Sequence, residues 1–208
     1  HVVFGTNKGA AIFGSFAAMV RFAHAKLIDR SSARVMFPLA IAGSLIGAVL
    51  LLAVPPQVLR PLVLILLTLA GILVAFARPA EPLPPIQSTS NHRLIKGAAI
   101  AFAIGAYDGF FGPGTGTFLI IALSFWVRQN LTQASANAKV VNFGSNAAAV
   151  AVFAWQGVIE WKIALPMAFG QLLGGTLGAH VVIRGGSQVV RRVVLLIVIA
   201  LIFRLSID

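Results

Sequence analysis

The strongest constraint on this chain is the recurrence of apolar windows about 20 residues long, enough for a helix to cross a ~30 Å hydrocarbon core. They fall at Ala33–Ala53, Val58–Ala77, Leu94–Phe111, Lys139–Trp155, Trp161–Ile183 and Val189–Leu205, and leave no room for a soluble domain between them. Two further stretches are less regular. Gly9–Ala25 opens on the polar Gly5-Thr-Asn-Lys8, and Thr115–Val127 has the length of a half-helix or a re-entrant piece. With 59% hydrophobic residues, 10% charged and a mean hydropathy of +0.95, the chain reads as an all-α polytopic transmembrane helix bundle, and no soluble fold competes.

A net charge of +11 would point to nucleic acid in a soluble protein, but here the cations follow the loops. Arg21, Lys26, Arg30 and Arg34 flank one loop, Arg78, Arg93 and Lys96 a second, and Arg184, Arg191 and Arg192 a third. Val54–Arg60 and Gln156–Lys162 carry one cation each. This is the positive-inside pattern, and it needs no nucleic-acid partner. If Leu94–Phe111 and Thr115–Val127 both cross, every cation-rich loop lies on the cytoplasmic side and the C-terminus lies outside. That topology is preferred over one in which Thr115–Val127 does not cross.

The sequence also repeats itself. Asn7, Phe13-Gly-Ser15 and Ala17-Ala18 recur 130 positions later as Asn137, Phe143-Gly-Ser145 and Ala147-Ala148. Pro38, Ala40, Leu45 and Gly47 match Pro166, Ala168, Leu173 and Gly175 at a shift of 128. The expected organisation is a first repeat half over 1–77, a cytoplasmic linker over 78–93 and a second half over 94–208, the halves inverted relative to each other as in many secondary transporters. The linker run Arg78–Asn91 holds four prolines and reads as extended. The later copy of the repeated block is preceded by Leu94–Ala136, which predicts about forty residues ahead of His1 and a chain truncated at its N-terminus.

Within this apolar background Tyr107-Asp-Gly-Phe-Phe-Gly-Pro-Gly-Thr-Gly116 stands out, placing an acid, a proline and four glycines together. Gly112-Pro-Gly-Thr-Gly116 interrupts any helix, since proline lacks an N–H and glycine tolerates positive φ. Irregular backbone in lipid must be buried or face a wet cavity. A helix restarting near Thr115 would aim free amides, and about half a positive charge, at whatever occupies the break. The motif therefore reads either as an anion site or as a tight turn at the membrane edge.

Asp29, Glu81, Glu160 and Asp208 sit in loops or at the terminus, which leaves Asp108 as the acid near a span. Either it is a protonatable group coupled to anion movement, or it caps the glycine-rich break, with Tyr107 as interfacial trim. Downstream, Lys139, Asn142 and Asn146 share one helical face with Ser145 adjacent, a stripe suited to charge-assisted hydrogen bonds with an anion. Asn7, Lys8 and Ser15 offer a poorer version, and Lys8 is expected to snorkel to the interface. His180 reads as a packed or hydrogen-bonded residue, and Gly170, Gly174, Gly175 and Gly178 as small-residue spacings for close helix packing. The chain has no cysteine, the histidines have no metal-ligand spacing, and no nucleophile set or cofactor motif is present. The reading is non-enzymatic, without metal or cofactor.

The Tyr107–Gly116 run resembles the signature of the TauE/SafE sulfite exporter family, and Gly5-Thr-Asn-Lys8 resembles its glycine-threonine-x-lysine element. The likeness covers essentially the whole chain, departing from the pattern at Ala136-Asn-Ala-Lys139. It implies a multi-pass permease of the bacterial inner membrane for sulfite, sulfoacetate and other sulfur-containing or organic anions, with substrate-site roles at Asp108, Gly112, Pro113, Gly114, Gly116, Lys8 and Lys139. Together the two readings give a candidate binding set of Asn7, Lys8, Asp108, Gly109, Gly112, Pro113, Gly114, Thr115, Gly116, Lys139, Asn142, Ser145 and Asn146, with Asp108 carrying the coupling proton. A passive anion channel and a non-transporting membrane scaffold subunit are the alternatives. Partners are the small anion and the bilayer, with a homo-oligomer left open.

Overall fold

The computed structural model describes residues 1–76 and 91–205, and within them every regular element is α-helical. Seven helices follow in order: α1 Val2–His24, α2 Arg30–Ala53, α3 Pro56–Phe76, α4 Asn91–Phe110, α5 Thr115–Phe125, α6 Leu131–Trp155 and α7 Trp161–Leu205. Most of the linker expected over 78–93 lies outside the described residues, and its last three positions, Asn91 to Arg93, belong to the first turn of α4. Gly5-Thr-Asn-Lys8, expected to precede a helix beginning at Gly9, is helical from Val2 onward. The helix expected from Lys139 starts eight residues earlier, at Leu131, because Asn130 caps it by accepting from the Gln133 amide at 2.8 Å.

The bundle buries a polar set beside its apolar core and exposes large apolar side chains. Thr6, Lys8, Ser15, Ser44, Asp108, Thr115, Asn137, Asn142, Ser145 and Asn146 are buried, while Ile65, Phe169 and Leu177 stand more than 60% exposed. A water-soluble protein seldom combines so many buried polar side chains with such apolar exposure. By length and composition, Arg30–Ala53 and Trp161–Val190 are apolar enough to cross a bilayer. Helices α1 and α6 are of comparable length, at 23 and 25 residues, but their interior faces carry the lysines and asparagines that lower their average hydropathy.

Two helix pairs are in backbone contact. A Cβ added at Gly47 would lie 2.0 Å from the Ala106 carbonyl oxygen, and one at Gly109 2.2 Å from that of Ser44, so α2 and α4 approach as closely as main chains allow. Across the bundle, Gly175 of α7 meets the Gly14 carbonyl of α1 at 2.3 Å on the same measure. The packing role expected of Gly170, Gly174, Gly175 and Gly178 therefore belongs to Gly175, since a Cβ at each of the other three would meet no atom within 4 Å. The tightest crossing is made instead by Gly43 and Gly47 against α4.

Contacts between elements define two ends. At one, His1 reaches the carbonyls of Leu51 and Val54, and the Glu160 amide donates to Thr6 Oγ1 at 3.0 Å. At the other, the Asp29 amide donates to Asn137 Oδ1, Arg21 meets His180 Nδ1 at 2.6 Å, and Thr132 meets Ser187. His180 is thus hydrogen-bonded, as expected. Arg21, Lys26, Arg30 and Arg184 cluster near this second end. Helix α5 is 11 residues long, about 16 Å, roughly half a hydrocarbon core, so it does not cross alone. It folds back along α4: Tyr107 packs on Phe118, while Leu119, Leu123 and Val127 join Ala101 and Met36 in one cluster. With residues 126–130 it returns the chain to the cation-rich end, where α6 begins. Non-helical backbone at Gly186 (φ 58°, ψ −158°) splits α7, and Val182 and Val190 pack on a common cluster that a straight helix would hold about 12 Å apart.

Candidate functional site

The site forms where the α4–α5 break faces α1 and α6. Helix α4 ends at Phe110, and Gly112 (φ 93°) and Gly114 (φ 81°) take left-handed conformations on either side of Pro113. Side chains at those two positions would be strained, which is why the turn is written in glycine. Tyr107 is the clamp on this turn rather than interfacial trim: its hydroxyl donates to the Pro113 carbonyl at 2.5 Å and its ring packs edge-on against Phe111 and Phe118. The Thr115 amide donates to the Gly112 carbonyl and the Phe118 amide to that of Gly114, leaving the Gly116 and Thr117 amides of the first turn without a backbone acceptor among the described residues.

Asp108, one turn before the break, is 4% exposed and saturated with donors. Lys8 Nζ lies 2.7 Å from Oδ1 and Thr115 Oγ1 2.9 Å from the same oxygen, while the Ser145 hydroxyl donates to Oδ2. The expectation that Lys8 snorkels to the interface is overturned. Its ammonium is buried, paired with Asp108, and also donates to Asn146 Oδ1 at 3.0 Å. The reason is register: with α1 helical from Val2, Lys8 sits two turns inside the helix and faces α6 instead of the helix start. Asp108, the acid expected near a span, is thus paired, and Lys8–Asp108 is the one ion pair among the described residues.

These groups surround a cavity of about 410 Å³ lined by Asn7, Lys8, Gly14, Ser15, Asp108, Gly112 to Gly116, Lys139, Asn142, Asn146, Gln171, Gly174 and Gly175. Eleven of the thirteen candidate residues line it. Ser145 does not; it is fully buried and reaches the site through Asp108. Gly109 does not either, because its open side is taken by the Ser44 carbonyl. Sequence reasoning missed Gln171, a polar residue whose only signal was its place among α7 glycines. Lys139 has no hydrogen-bond acceptor among the described residues, and Asn142 Oδ1 is buried without a partner. The lining carries two lysines against one aspartate, a formal charge of +1. No group of three His, Cys, Asp or Glu able to hold a metal occurs among the described residues.

Large apolar side chains on the exterior and a polar cavity whose lining bears net positive charge suit a membrane transport protein. The comparisons agree. The family model for the sulfite exporter TauE/SafE matches residues 1–205. A Sinorhizobium protein named "Probable membrane transporter protein ORF9" is 31% identical over 98% of this chain and 77% of its own length. "Probable membrane transporter protein YfcA" of Escherichia coli K12 is 30% identical over 92% of this chain and 71% of its own. A Haemophilus influenzae protein named "Probable membrane transporter protein" is 31% identical over 92% of this chain and 74% of its own length. No solved structure matches the chain. The chain belongs to the TauE/SafE sulfite exporter family, and it is a membrane-embedded transporter homologue.

Proposed function

We propose that the chain carries a small anion, of the sulfite, sulfonate or carboxylate kind, across the bacterial inner membrane as a proton-coupled secondary transporter. The observation that supports it most is Lys139, a cation on a cavity wall with no hydrogen-bond acceptor, in a lining whose charge of +1 one monoanion would neutralise. Asn142, Asn146 and the Gly116 amide of α5 supply further donors around the same volume. A bound oxyanion would give that ammonium the acceptor it lacks among the described residues.

The ion pair suggests how a proton enters. Lys8 is shared between Asp108 and Asn146, and an anion in the cavity competes with Asp108 for it. Once Lys8 turns to the anion, Asp108 keeps only the hydroxyl donors of Thr115 and Ser145, and it is the group proposed to carry the coupling proton. One proton would then travel with each anion. The cation-rich end is assigned to the cytoplasm by the positive-inside rule. Gly47 and Gly175, matched by the sequence repeat, each receive a neighbouring helix's carbonyl, which supports two related helix pairs, α2 with α4 and α1 with α7, that rock about the site.

Flux into proteoliposomes tests this reading. Lys139→Gln should weaken anion affinity at least tenfold, and Asp108→Asn should remove the dependence of flux on a proton gradient while leaving exchange measurable. Normal affinity in the first variant sinks the anion role, and unchanged proton dependence in the second sinks the coupling. Absence of trans-stimulation by unlabelled anion would favour a channel.

A further inference from the structure

The hydrogen bond between Arg21 of α1 and His180 of α7, at the cation-rich end, has a direction. Arg21 Nη2 lies 2.6 Å from His180 Nδ1. Arginine carries donors and no acceptor, so Nδ1 must accept, and it can do so only while it holds no proton. Arg21 has no other hydrogen bond among the described residues, and its Nε is buried without a partner. The bond ties the two helices beyond their main-chain contact: Arg21 lies about 10 Å past Gly14, and His180 about 8 Å past Gly175, along the same pair. Next to it, Phe22 and Ala179 share one cluster, and both wall an apolar space of about 410 Å³ that meets the polar cavity at Gly116, Lys139, Gly174 and Gly175.

The charges around the imidazole leave an added proton without a counter-ion. Arg21, His24 and Lys26 come from α1 and the turn after it, Lys139 from α6, and Arg184 from one turn further along α7. Asp29 is the acid of this neighbourhood, and its carboxylate is taken up by Ser31 and Ser32 at the start of α2. Histidine is the side chain whose type changes charge between about pH 5 and 8.

We infer that Arg21 and His180 form a proton-released lock on the cation-rich end. With a neutral imidazole, α1 and α7 are held together and the apolar space stays covered from that side. A proton on His180 removes the acceptor and sets two cations side by side, so the helix ends part about the Gly14–Gly175 contact and the space opens. Acidity on that side thus governs access through a group other than Asp108, and the lock does not depend on what the polar cavity binds.

The chain has no cysteine, so single cysteines report the opening. Ser135, 4% exposed, lines the apolar space from α6 and belongs to neither helix of the lock. Ser135→Cys in lipid nanodiscs is labelled with a charged methanethiosulfonate at about pH 7.5 and about pH 5.5. Ala23→Cys, exposed at the same end, supplies the reference rate that cancels the change in thiolate fraction. The ratio of the two rates should rise about tenfold at the lower pH. His180→Gln keeps an acceptor and has nothing to titrate, so its ratio should stay low at both pH values. Arg21→Leu removes the donor, so its ratio should already be high at the upper pH. A ratio that does not change with pH in the chain with the lock intact overturns the inference, however either variant folds. An equal rise in His180→Gln overturns it too, assigning the opening to His24 or Asp108, as does a low ratio at the upper pH in Arg21→Leu. Normal anion affinity in Lys139→Gln beside an intact pH response would sink the anion reading and leave the lock standing.

Discussion

Removing Lys8 while leaving Asp108 is the perturbation whose cost the structure states most directly. Lys8→Met keeps the stem and deletes the ammonium, leaving a buried carboxylate whose remaining donors are the hydroxyls of Thr115 and Ser145. Breaking a buried pair from one side costs about 3–5 kcal/mol, because the surviving charge is uncompensated. At about 2–4 °C per kcal/mol for a chain of this size, the melting temperature should drop by roughly 6–20 °C. The companion Asp108→Asn strands the lysine and should cost a similar amount. In the double variant neither charge survives, so most of the loss should return, giving a coupling of about 3 kcal/mol in a double-mutant cycle. Thermal unfolding of the purified protein in one detergent, followed by the fluorescence of its three tryptophans, measures all four corners. Additivity within ~0.5 kcal/mol would refute the reasoning, since it would mean the charges at 2.7 Å do not depend on each other.

Three further outcomes follow from the geometry. Gly109→Val should abolish folding, because its Cβ would lie 2.2 Å from the Ser44 carbonyl oxygen, whereas Gly170→Ala should cost nothing measurable in thermal unfolding. Gly112→Ala should destabilise by about 1–2 kcal/mol through its φ of 93°, and should also weaken anion binding, since the new methyl lies 3.1 Å from Lys8 Nζ; isothermal titration beside thermal unfolding separates the two. Asp29, at the cation-rich end, caps α2; burial pushes its carboxyl up, but donors from Ser31 and Ser32 outweigh this and hold it below its ordinary value. Its contribution is therefore complete above about pH 4 and lost as pH falls through the depressed value. Asp29→Ala should cost about 1 kcal/mol at neutral pH and lie progressively closer to the unmodified chain in unfolding scans taken toward pH 2.5.

The helical class was legible because apolar windows of spanning length leave no other fold, and the stripe of Lys139, Asn142 and Asn146 was legible because helical periodicity puts them on one face whatever they meet. What could not be read was partnership across the bundle. Lys8 and Asp108 are 100 residues apart in sequence, and nothing local says that α1 and α4 bring them together. Lys8 was misread for a simple reason: a polar run near the chain's start looks like a helix boundary, and a lysine at a boundary snorkels, whereas the same lysine two turns into a helix must find an acid. The glycines show a similar limit. Spacing identified small-residue faces on α7, but only the third dimension reveals that Gly43 and Gly47 meet a helix while Gly170, Gly174 and Gly178 face open space.

The main-chain contacts of α2 with α4, and of α1 with α7, set what can move. Helices whose carbonyls touch at glycine cannot slide without lifting apart, so each pair behaves as a welded unit, with α6 lying against both. Lys8 belongs to one unit and Asp108 to the other, and α1 and α4 share at most marginal packing of their own. The pair is thus a latch spanning the seam between two stiff bodies. Whatever opens the seam must first give Lys8 another negative charge to hold.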